Sequence, residues 1–464
     1  MACASASAQR IVFAHYMLAN QDYAADTPTG ELNIASYERE IRQAQSIGID
    51  GFALNAGGWF SEPRYIRRAS EIFEAAYRLR TGFKLMFSAD MCCSNDASDL
   101  LDMMRRFANN PRYSAVYFQH DGRFVLTTFA GSSRGPKFWL QLRDHLEYGT
   151  DPSLLPAPSA LAYASGIPSS APLPIFLVPS FFWGGELPPT YDIHTGLSDY
   201  ANIIDGAFYW GIAGTPNLGH PPDQLPSSAA YASTLHAAHK LYMAPIAFQF
   251  WAANANRYYE YSGYSGMRAL WMQAIQTTHP DWVEIITWND FIEGTYVSPI
   301  DDPASYAAAN DLAASIAPVS TQHFFHSHRG ATDLLAYFIA WYKSGRQPTL
   351  HNDTILWAYR TVLSTQPPAN HPPIKLYGPV ANSVYVTANL AAPAILRVTI
   401  GSATHSIALP AGSTDVQLPL TPGPAPHFTL TRNDTLLTQA IGDDPITVTA
   451  PYPDLYNSTG SMHD

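Results

Sequence analysis

The sequence predicts an eight-stranded α/β barrel followed by a small antiparallel β-sandwich. In the N-terminal part, short apolar runs rich in Val, Ile and Phe alternate with longer amphipathic segments, which is typical of βα units with a parallel sheet. From about residue 370 the chain changes to short alternating runs separated by Gly, Pro, Ser and Asn, a pattern typical of a sandwich. The length of 464 residues fits a large barrel with one appended domain.

Eight apolar runs are predicted to be the barrel strands. They are residues 11–16, 50–55, 83–89, 123–129, 174–179, 203–210, 244–250 and 282–287. The clearest helical patterns are residues 34–46, 62–79, 97–108 and 332–344. Eight strands favour closure into a (β/α)₈ TIM barrel, and an open sheet is the alternative. No G-x-G-x-x-G or P-loop follows any strand, which argues against a nucleotide-binding open sheet.

The C-terminal part is predicted to be a separate domain. We place the barrel in residues 1–370 and the sandwich in residues 371–464, with the Pro-rich residues 367–373 as the connector. Sandwich strands are predicted at residues 383–387, 394–400, 405–409, 415–418, 427–430 and 446–449. Trp357 and Tyr359 precede the boundary and are predicted to pack the barrel against the sandwich.

Composition excludes several classes of protein. With 47% hydrophobic and 14% charged residues the chain is globular and not disordered. A net charge of −12 without a Lys/Arg cluster argues against nucleic acid as a partner. No apolar run is long enough to cross a membrane. Residues 1–10 are too short for a signal peptide, so the protein either stays in the cell or has an export signal outside this numbering.

In an eight-stranded barrel, the functional side chains lie at the carboxyl ends of the strands. The sequence places a polar or aromatic set there: His15, Tyr16, Asn55, Asp90, Trp183, Tyr209, Trp210, Gln249, Trp251, Asn254, Trp288, Asp290, Glu293 and Tyr296. Carboxylates, amides and indoles in one pocket are typical of saccharide binding. Lys and Arg are absent from the set, which argues against phosphate or carboxylate substrates.

Asp90, Asp290 and Glu293 are the candidate catalytic residues. Glycoside hydrolysis needs one protonated carboxyl group for the leaving oxygen and one ionised carboxylate to activate water or attack the sugar. A turn over residues 290–293 would place Asp290 and Glu293 on the same side. The alternative is structural, since an Asp that follows a strand often caps the next helix, and Asp90 lies shortly before one.

Five sequence blocks resemble glycoside hydrolase family 71, the endo-α-1,3-glucanases or mutanases. The blocks are VFAHY at 12–16, GIDGFALN at 48–55, SADM at 88–91, TFAG at 128–131 and WNDFIE at 288–293. They occur in the family's order and cover residues 11 to 300, and the C-terminal sandwich is similar to the family's accessory domain. The chain departs from the family pattern at Ala89, at Phe291-Ile292 and at the residues before Tyr296.

The resemblance implies a secreted hydrolase of α-1,3-glucan that inverts the anomeric carbon. It implies an active site built from the acidic residues Asp90, Asp290 and Glu293. Among them we assign Glu293 as the general acid, Asp290 as the general base, and Asp90 as a residue that binds sugar hydroxyls or orients water. Inversion requires the acid and base carboxyl groups to lie about 6.5 to 9.5 Å apart. The departures leave open another α-glucan linkage. A polysaccharide-binding protein with a silent barrel is the other alternative, although all three carboxylates persist.

No cofactor and no metal ion is predicted. His323, His326 and His328 form an H-x-x-H-x-H pattern that matches no known ligand spacing and has no paired carboxylate. The three cysteines, Cys3, Cys92 and Cys93, form no disulfide framework. The sequence contains no G-x-S-x-G elbow, which argues against a serine hydrolase. The expected partner is therefore an α-glucan, and the oligomeric state is not predicted.

Overall fold

The protein is described by a computed structural model. The residues that it describes are 10–20, 31–93, 95–148, 172–181, 193–211, 221–252, 257–300, 327–363, 375–378, 380–448 and 457–464. Trp183, Asn254, His323 and His326 lie outside the described residues.

The N-terminal part alternates strands and helices. Its strands are β1 Ile11–Met17, β2 Gly51–Ala56, β3 Lys84–Asp90, β4 Gln119–His120, β5 Arg123–Phe129, β6 Ile175–Pro179, β7 Gly206–Ala207, β8 Leu241–Ala247, β9 Phe250–Ala252, β10 Arg257–Tyr259 and β11 Trp282–Ile286. Its helices are α1 Glu31–Ser46, α2 Arg64–Leu79, α3 Ala97–Ala108, α4 Gly135–Tyr148, α5 Ile193–Tyr200, α6 Pro221–Ala237, α7 Tyr264–Gln273 and α8 Arg329–Ser344.

The parallel strands form one curled sheet. Strand β1 lies between β2 and β11; the parallel pairing continues through β3, β5 and β6 on one side and through β8 and β7 on the other. Just beyond the two outer strands, Ser180 and Phe208 form an isolated parallel bridge. The predicted α/β class with parallel strands is confirmed.

Strand alternation gives the sheet an outer face, packed against helices, and an inner face. Phe52 on β2 contacts Tyr16 and Trp288, and Phe87 on β3 packs against Phe73 of α2, so these side chains point outward. Because side chains alternate along a strand, the residues next to them point inward. The inner face at the carboxyl end of β3 therefore carries Asp90.

The sixth predicted strand, residues 203–210, is mostly not a strand. Only Gly206–Ala207 pairs in the sheet, because Ile203 and Ile204 belong to the turn that ends α5, where both N–H groups donate to the carbonyl of Tyr200. Helix α4 was not predicted. Its first two residues, Gly135 and Pro136, are typical of a loop, which is why the helix was not predicted. A proline is tolerated in the first turn because the N–H that it lacks would have no partner within the helix.

The C-terminal part consists mainly of antiparallel sheets, as predicted. Its strands are β12 Thr354–Arg360, β13 Lys375–Tyr377, β14 Ser383–Leu390, β15 Ala394–Ile400, β16 Ala403–Leu409, β17 Gly412–Pro419, β18 His427–Arg432, β19 Thr435–Ile441 and β20 Asn457–His463. One sheet has the order β17-β14-β12-β20 and the other β16-β15-β18-β19. Of the predicted strand at 446–449, residues 446–448 form only isolated bridges at Ile446 and Thr447, and Thr449 lies outside the described residues.

Strand β12 belongs to the C-terminal sheets although it precedes residue 370. Trp357 stacks on Phe428 at 4.6 Å, and Tyr359 lies in the same apolar cluster. The two side chains therefore pack the two antiparallel sheets together, and the prediction that they contact the barrel was wrong. Their strand was missed because residues 354–360 precede the predicted boundary and were included in the barrel.

None of the described helices is long and apolar enough to cross a membrane.

Candidate active site

The three predicted carboxylates lie at the carboxyl ends of two parallel strands. Asp90 is the last residue of β3, and Asp290 and Glu293 lie in the segment that follows β11. Only β2 and β1 separate β3 from β11 in the sheet. All three therefore belong to the same end of the sheet, where a barrel enzyme has its substrate pocket.

Residues 290–293 form the turn that the sequence predicts. The N–H of Glu293 donates to Oδ1 of Asp290 at 3.2 Å, and the N–H of Asp290 donates to Oγ1 of Thr287 at 2.9 Å. The hairpin of β9 and β10 secures the other side, because the N–H of Trp251 donates to the carbonyl of Glu293 at 2.9 Å. Gly294 follows with a φ of 61°, where a side chain would be strained.

The same segment is joined to β1 by the side chain of Asn289. Its Oδ1 accepts the N–H of Met17 at 2.7 Å, and its Nδ2 donates to the carbonyl of Met17 at 3.1 Å. The side-chain amide of Asn289 thus forms the two hydrogen bonds with the Met17 backbone that a residue of a neighbouring strand would form. The N–H of Trp288 also donates to the carbonyl of His15 at 2.7 Å. These bonds fix the segment that carries Asp290 against the neighbouring strand.

Asp90 is held by groups from three directions. Its Oδ1 accepts the N–H of Cys92 at 3.0 Å, and Nδ2 of Asn55 lies 3.5 Å from its Oδ2. Asn95 donates to the carbonyl of Asp90 at 2.9 Å. Burial raises the pKa of Asp90, and its hydrogen bonds and the nearby His15 oppose this shift. The Asp90 carboxyl group is therefore fixed in one orientation at the end of β3.

The two carboxyl groups of the turn have raised pKa values. Burial raises the pKa of Asp290 to about 6, while hydrogen bonds from the turn and the nearby His15 oppose the shift. Burial and the charge of Asp290 raise the pKa of Glu293 to about 8, with Arg257 acting in the opposite direction. Because the groups interact, the first proton lost from the pair makes the second harder to lose.

Several predicted binding residues lie close to the carboxylates. Asn55 contacts Asp90, and Trp251 holds Glu293. Nε2 of Gln249 donates to the carbonyl of Gly294 at 3.0 Å. The ring of Trp210 lies edge-on to His15 with the centroids 4.4 Å apart.

Other predicted binding residues point away from the carboxylates. The Tyr16 hydroxyl and the Trp288 indole both donate to Glu40 of α1, at 2.6 and 3.2 Å, on the outer face of the sheet. The Tyr209 hydroxyl lies 2.6 Å from Oγ of Ser228 on α6. These three side chains pack against helices; strand alternation turns Tyr16 on β1 outward, whereas Tyr209 and Trp288 lie in the segments that follow β7 and β11.

His328 belongs to a hydrogen-bonded cluster. Its ring stacks on Tyr296 at 3.9 Å, its Nδ1 lies 2.6 Å from the Tyr296 carbonyl, and its Nε2 lies 3.3 Å from Nε2 of Gln249. Tyr296 and His328 thus brace the chain that follows Glu293. Within the described residues no group of three His, Cys, Asp or Glu side chains could hold a metal ion.

Two charged residues near the site were missed from the sequence. Glu284 on β11 contacts His15, and Arg257 on β10 lies close enough to Glu293 to lower its pKa. Glu284 carried a detectable signal, because it is the one charged residue in the apolar run of the last predicted strand. Arg257 lies three residues after Asn254, in the loop predicted after the seventh strand. No motif or pattern in the local sequence marks it as functional.

A separate cavity of about 800 Å³ opens at the amino-terminal ends of the strands. It contains none of the predicted site residues. Its charged groups are largely paired with each other: Asp205 with Arg123 at 2.7 Å and His236 with Asp281 at 3.2 Å. We place the candidate active site at the opposite end, where the carboxyl groups have raised pKa values.

The chain is similar to curated fungal proteins along most of its length. It is 24% identical to glucan endo-1,3-alpha-glucosidase agn1 of Schizosaccharomyces pombe, covering 94% of this chain and 91% of that protein. It is 26% identical to mutanase Pc12g07500 of Penicillium rubens, covering 88% of this chain and 79% of that protein.

Among solved structures, the GH99 endo-alpha-mannosidase of Bacteroides thetaiotaomicron is similar at 11% identity, with a TM-score of 0.46 over 73% of this chain and 98% of that chain. The sequence profile of glycosyl hydrolase family 71 matches residues 8–459. The family resemblance predicted from the sequence blocks is therefore confirmed, and the chain belongs to glycosyl hydrolase family 71.

Proposed function

We propose that the protein is an endo-acting, inverting hydrolase of α-1,3-glucan. The observation that carries this proposal is the interacting carboxyl pair, Asp290 and Glu293, in a fixed turn at the carboxyl end of the last parallel strand. Family membership and the names of the two fungal relatives support the substrate.

The electrostatics of the pair support the roles of acid and base. With a pKa of about 8, Glu293 keeps its proton at neutral pH and gives it to the glycosidic oxygen. With a pKa of about 6, Asp290 is ionised at neutral pH and takes a proton from the attacking water. Asp90 binds sugar hydroxyls or orients this water.

We infer that the eight parallel strands close into a (β/α)₈ barrel. The pairings run from β1 in both directions to β6 and β7, and the bridge between Ser180 and Phe208 supports closure between these two. We also propose two domains, since the apolar residues of the parallel and antiparallel parts form two separate clusters. The start of β12 at Thr354 moves the proposed domain boundary to a point before that residue.

The proposed sugar contacts are Asn55, Trp210, Gln249 and Trp251. Trp251 is the best supported, because its backbone holds Glu293 while its buried indole Nε1 has no hydrogen-bond partner among the described residues. A sugar hydroxyl would satisfy this donor. Trp183 and Asn254 remain proposals from the sequence, and so does a location outside the cell. A 24% identical relative named ascus wall endo-1,3-alpha-glucanase supports action on a cell wall.

The proposal is tested by release of reducing sugar from insoluble α-1,3-glucan, with dextran, starch and laminarin as the other substrates. We expect release from α-1,3-glucan alone and none by the variant Asp290→Asn. Release from another α-glucan would instead indicate a different linkage preference. A folded wild type that binds α-1,3-glucan but releases nothing would identify a binding protein and overturn the proposal.

The activity is expected to have a bell-shaped pH profile with its maximum near pH 7. As pH falls through about 6, Asp290 becomes protonated and no longer acts as a base; as pH rises through about 8, Glu293 loses the proton that it donates. The check is kcat/KM on a soluble α-1,3-linked oligosaccharide between pH 4 and 10, with both limbs assigned to the pair. A profile flat from pH 5 to 9 would contradict the proposed roles.

A further inference from the structure

One asparagine joins neighbouring loops at the carboxyl end of the parallel sheet. Asn95 lies between β3 and α3, and its side chain is fully buried, at 0% exposure. Its Nδ2 donates to the carbonyl of Ala56, the last residue of β2, at 2.7 Å and to the carbonyl of Asp90, the last residue of β3, at 2.9 Å. Its Oδ1 accepts the N–H of Trp59 at 3.1 Å. The side chain therefore ties the segment after β2 to the backbone of Asp90.

The backbone of Asn95 is held in turn by the loop that follows β5. Its carbonyl accepts a hydrogen bond from Nη2 of Arg134 at 2.5 Å, and the Arg134 guanidinium lies 5.7 Å from the centre of the Phe138 ring. Strand β3 pairs with β2 on one side and with β5 on the other. Asn95 thus connects the ends of three adjacent strands, of which the middle one carries Asp90.

Only an amide of this size satisfies all three partners of the side chain. Both N–H groups of Asn95 point at carbonyl oxygens, and its oxygen faces an N–H. An aspartate has the same shape but would place a carboxylate oxygen against two carbonyl oxygens. An alanine would remove the partner of two buried carbonyl groups and of one N–H, which costs stability.

Asn289 has the same arrangement on the other side of the site. It is also fully buried, and its side chain bonds to the N–H and the carbonyl of Met17 on β1. Each of the two segments that carry the site carboxyl groups is therefore tied to a neighbouring strand by a buried asparagine. This recurrence indicates that the asparagines fix the positions of the carboxyl groups.

We propose that Asn95 is a positioning residue for Asp90 and does not contact the glucan. This inference rests on the proposed function, in which Asp90 binds sugar hydroxyls or orients the attacking water. By holding the Asp90 backbone, Asn95 keeps the carboxyl group where it meets the N–H of Cys92 at 3.0 Å and Nδ2 of Asn55 at 3.5 Å. A misplacement of about 1 Å in an active site lowers the rate by about 10²-fold.

The test is a double-variant cycle of Asn95→Asp and Asp90→Asn on a soluble α-1,3-linked oligosaccharide. We expect Asn95→Asp to lower kcat/KM by about 10- to 100-fold, through the same parameter, kcat or KM, that Asp90→Asn changes. In the double variant, the change at residue 95 is expected to add no further loss, because it acts only through Asp90. Losses that add fully would indicate a general loosening and overturn the inference. An unchanged kcat/KM in a folded Asn95→Asp protein would overturn it as well.

Asp99→Ala is the matched control. Asp99 joins the same two loops, because its Oδ1 accepts the N–H of Phe60 at 3.1 Å and its Oδ2 accepts the N–H of Asp96 at 2.8 Å, and neither bond involves Asp90. We expect this variant to unfold at a lower temperature than the wild type but to keep its kcat and KM. A loss of kcat/KM as large as in Asn95→Asp would assign the effect to the loops in general and contradict the proposal.

Arg134→Met is a milder variant that removes the bond to the Asn95 carbonyl from an exposed side chain. It keeps the proposal testable if Asn95→Asp does not fold. We expect a smaller loss of kcat/KM than in Asn95→Asp, and no loss when Asp90→Asn is already present. If Arg134→Met kept full activity, or if its loss persisted beside Asp90→Asn, the inference would be wrong.

A measurement without substrate separates this inference from the proposed function. The N–H of Cys92 donates to Oδ1 of Asp90, so its exchange with deuterated water reports whether the carboxyl group stays in place. We expect faster exchange at Cys92 in Asn95→Asp and the wild-type rate in Asp99→Ala. If the wild type hydrolyses no glucan but the exchange changes in this way, the proposed function fails and the positioning stands. Unchanged exchange in an enzyme active on α-1,3-glucan would refute only the positioning.

Discussion

Glu293→Gln is expected to lower kcat on α-1,3-glucan by about 10²- to 10⁴-fold, the usual contribution of a general acid. Glutamine keeps the size of the side chain but has no proton to give to the leaving oxygen. The variant is expected to retain most of its activity on an α-1,3-linked oligosaccharide with α-fluoride as the leaving group, because fluoride departs without a proton. The check is kcat on both substrates.

Asp290→Asn is the matched variant for this experiment. Both substrates need an activated water, so this change is expected to abolish activity on the glucan and on the fluoride. If Asp290→Asn kept activity on the fluoride and Glu293→Gln lost it, the roles of the two residues would be exchanged. The paired design therefore decides between acid and base without relying on the pH profile.

Loss of fold would not account for these losses of activity. Both carboxyl groups have a folded-state pKa raised above the ordinary value. A group whose pKa is raised by folding loses its contribution to stability as pH rises above the ordinary pKa, so at neutral pH each of these carboxyl groups lowers the stability of the fold. Neutral amides remove this cost. Thermal unfolding of both variants is therefore expected at or above the temperature of the wild type.

The parts of the site that could be predicted depend on local sequence. The turn from Asp290 to Glu293 is set by residues three apart, and Asp90 follows its strand directly. The contact between His15 and Glu284 joins residues 269 positions apart, and only the register of β1 with β11 brings them together. Without this register, an isolated Glu in an apolar run identifies no partner.

The same distinction applies to the fold. Strand β15 was predicted with its observed limits because apolar and polar residues alternate along it. Strand β20, with the sequence NSTGSMH, has no such pattern and forms because it pairs along its whole length with β12, about a hundred positions earlier. Long-range pairing of this kind overrides a weak local preference for strand.

Arg360→Met is expected to lower the free energy of unfolding by about 3–5 kcal/mol, the usual cost of breaking a buried ion pair from one side. Arg360 ends β12, and its Nη1 lies 2.9 Å from Oε2 of Glu260, with the two side chains only 2% and 1% exposed. Arg360 also donates to the carbonyl of Ala381 and to Asn382. Methionine fills much of the space but leaves the Glu260 carboxylate buried and uncompensated.

The controls for this prediction are a double variant and an exposed pair. Glu260→Met combined with Arg360→Met is expected to recover most of the lost stability, because no charge then stays buried. Arg64→Met breaks the exposed pair with Glu62, whose side chains are 46% and 42% exposed, and is expected to cost about 0–1 kcal/mol. Urea unfolding of all four proteins is the measurement, and equal losses in Arg360→Met and Arg64→Met would contradict the prediction.

The pH dependence and the activity of Arg360→Met give this prediction two further readouts. Burial already raises the pKa of Glu260, and loss of Arg360 raises it more, so the defect is expected to grow as pH rises from 5 to 8. Glu260 directly follows β10, whose partner β9 carries the Trp251 N–H that holds Glu293. Loosening this hairpin is expected to lower kcat even under conditions in which the variant is still folded. The antiparallel sheets would then contribute to catalysis by fixing Glu293, the proposed general acid.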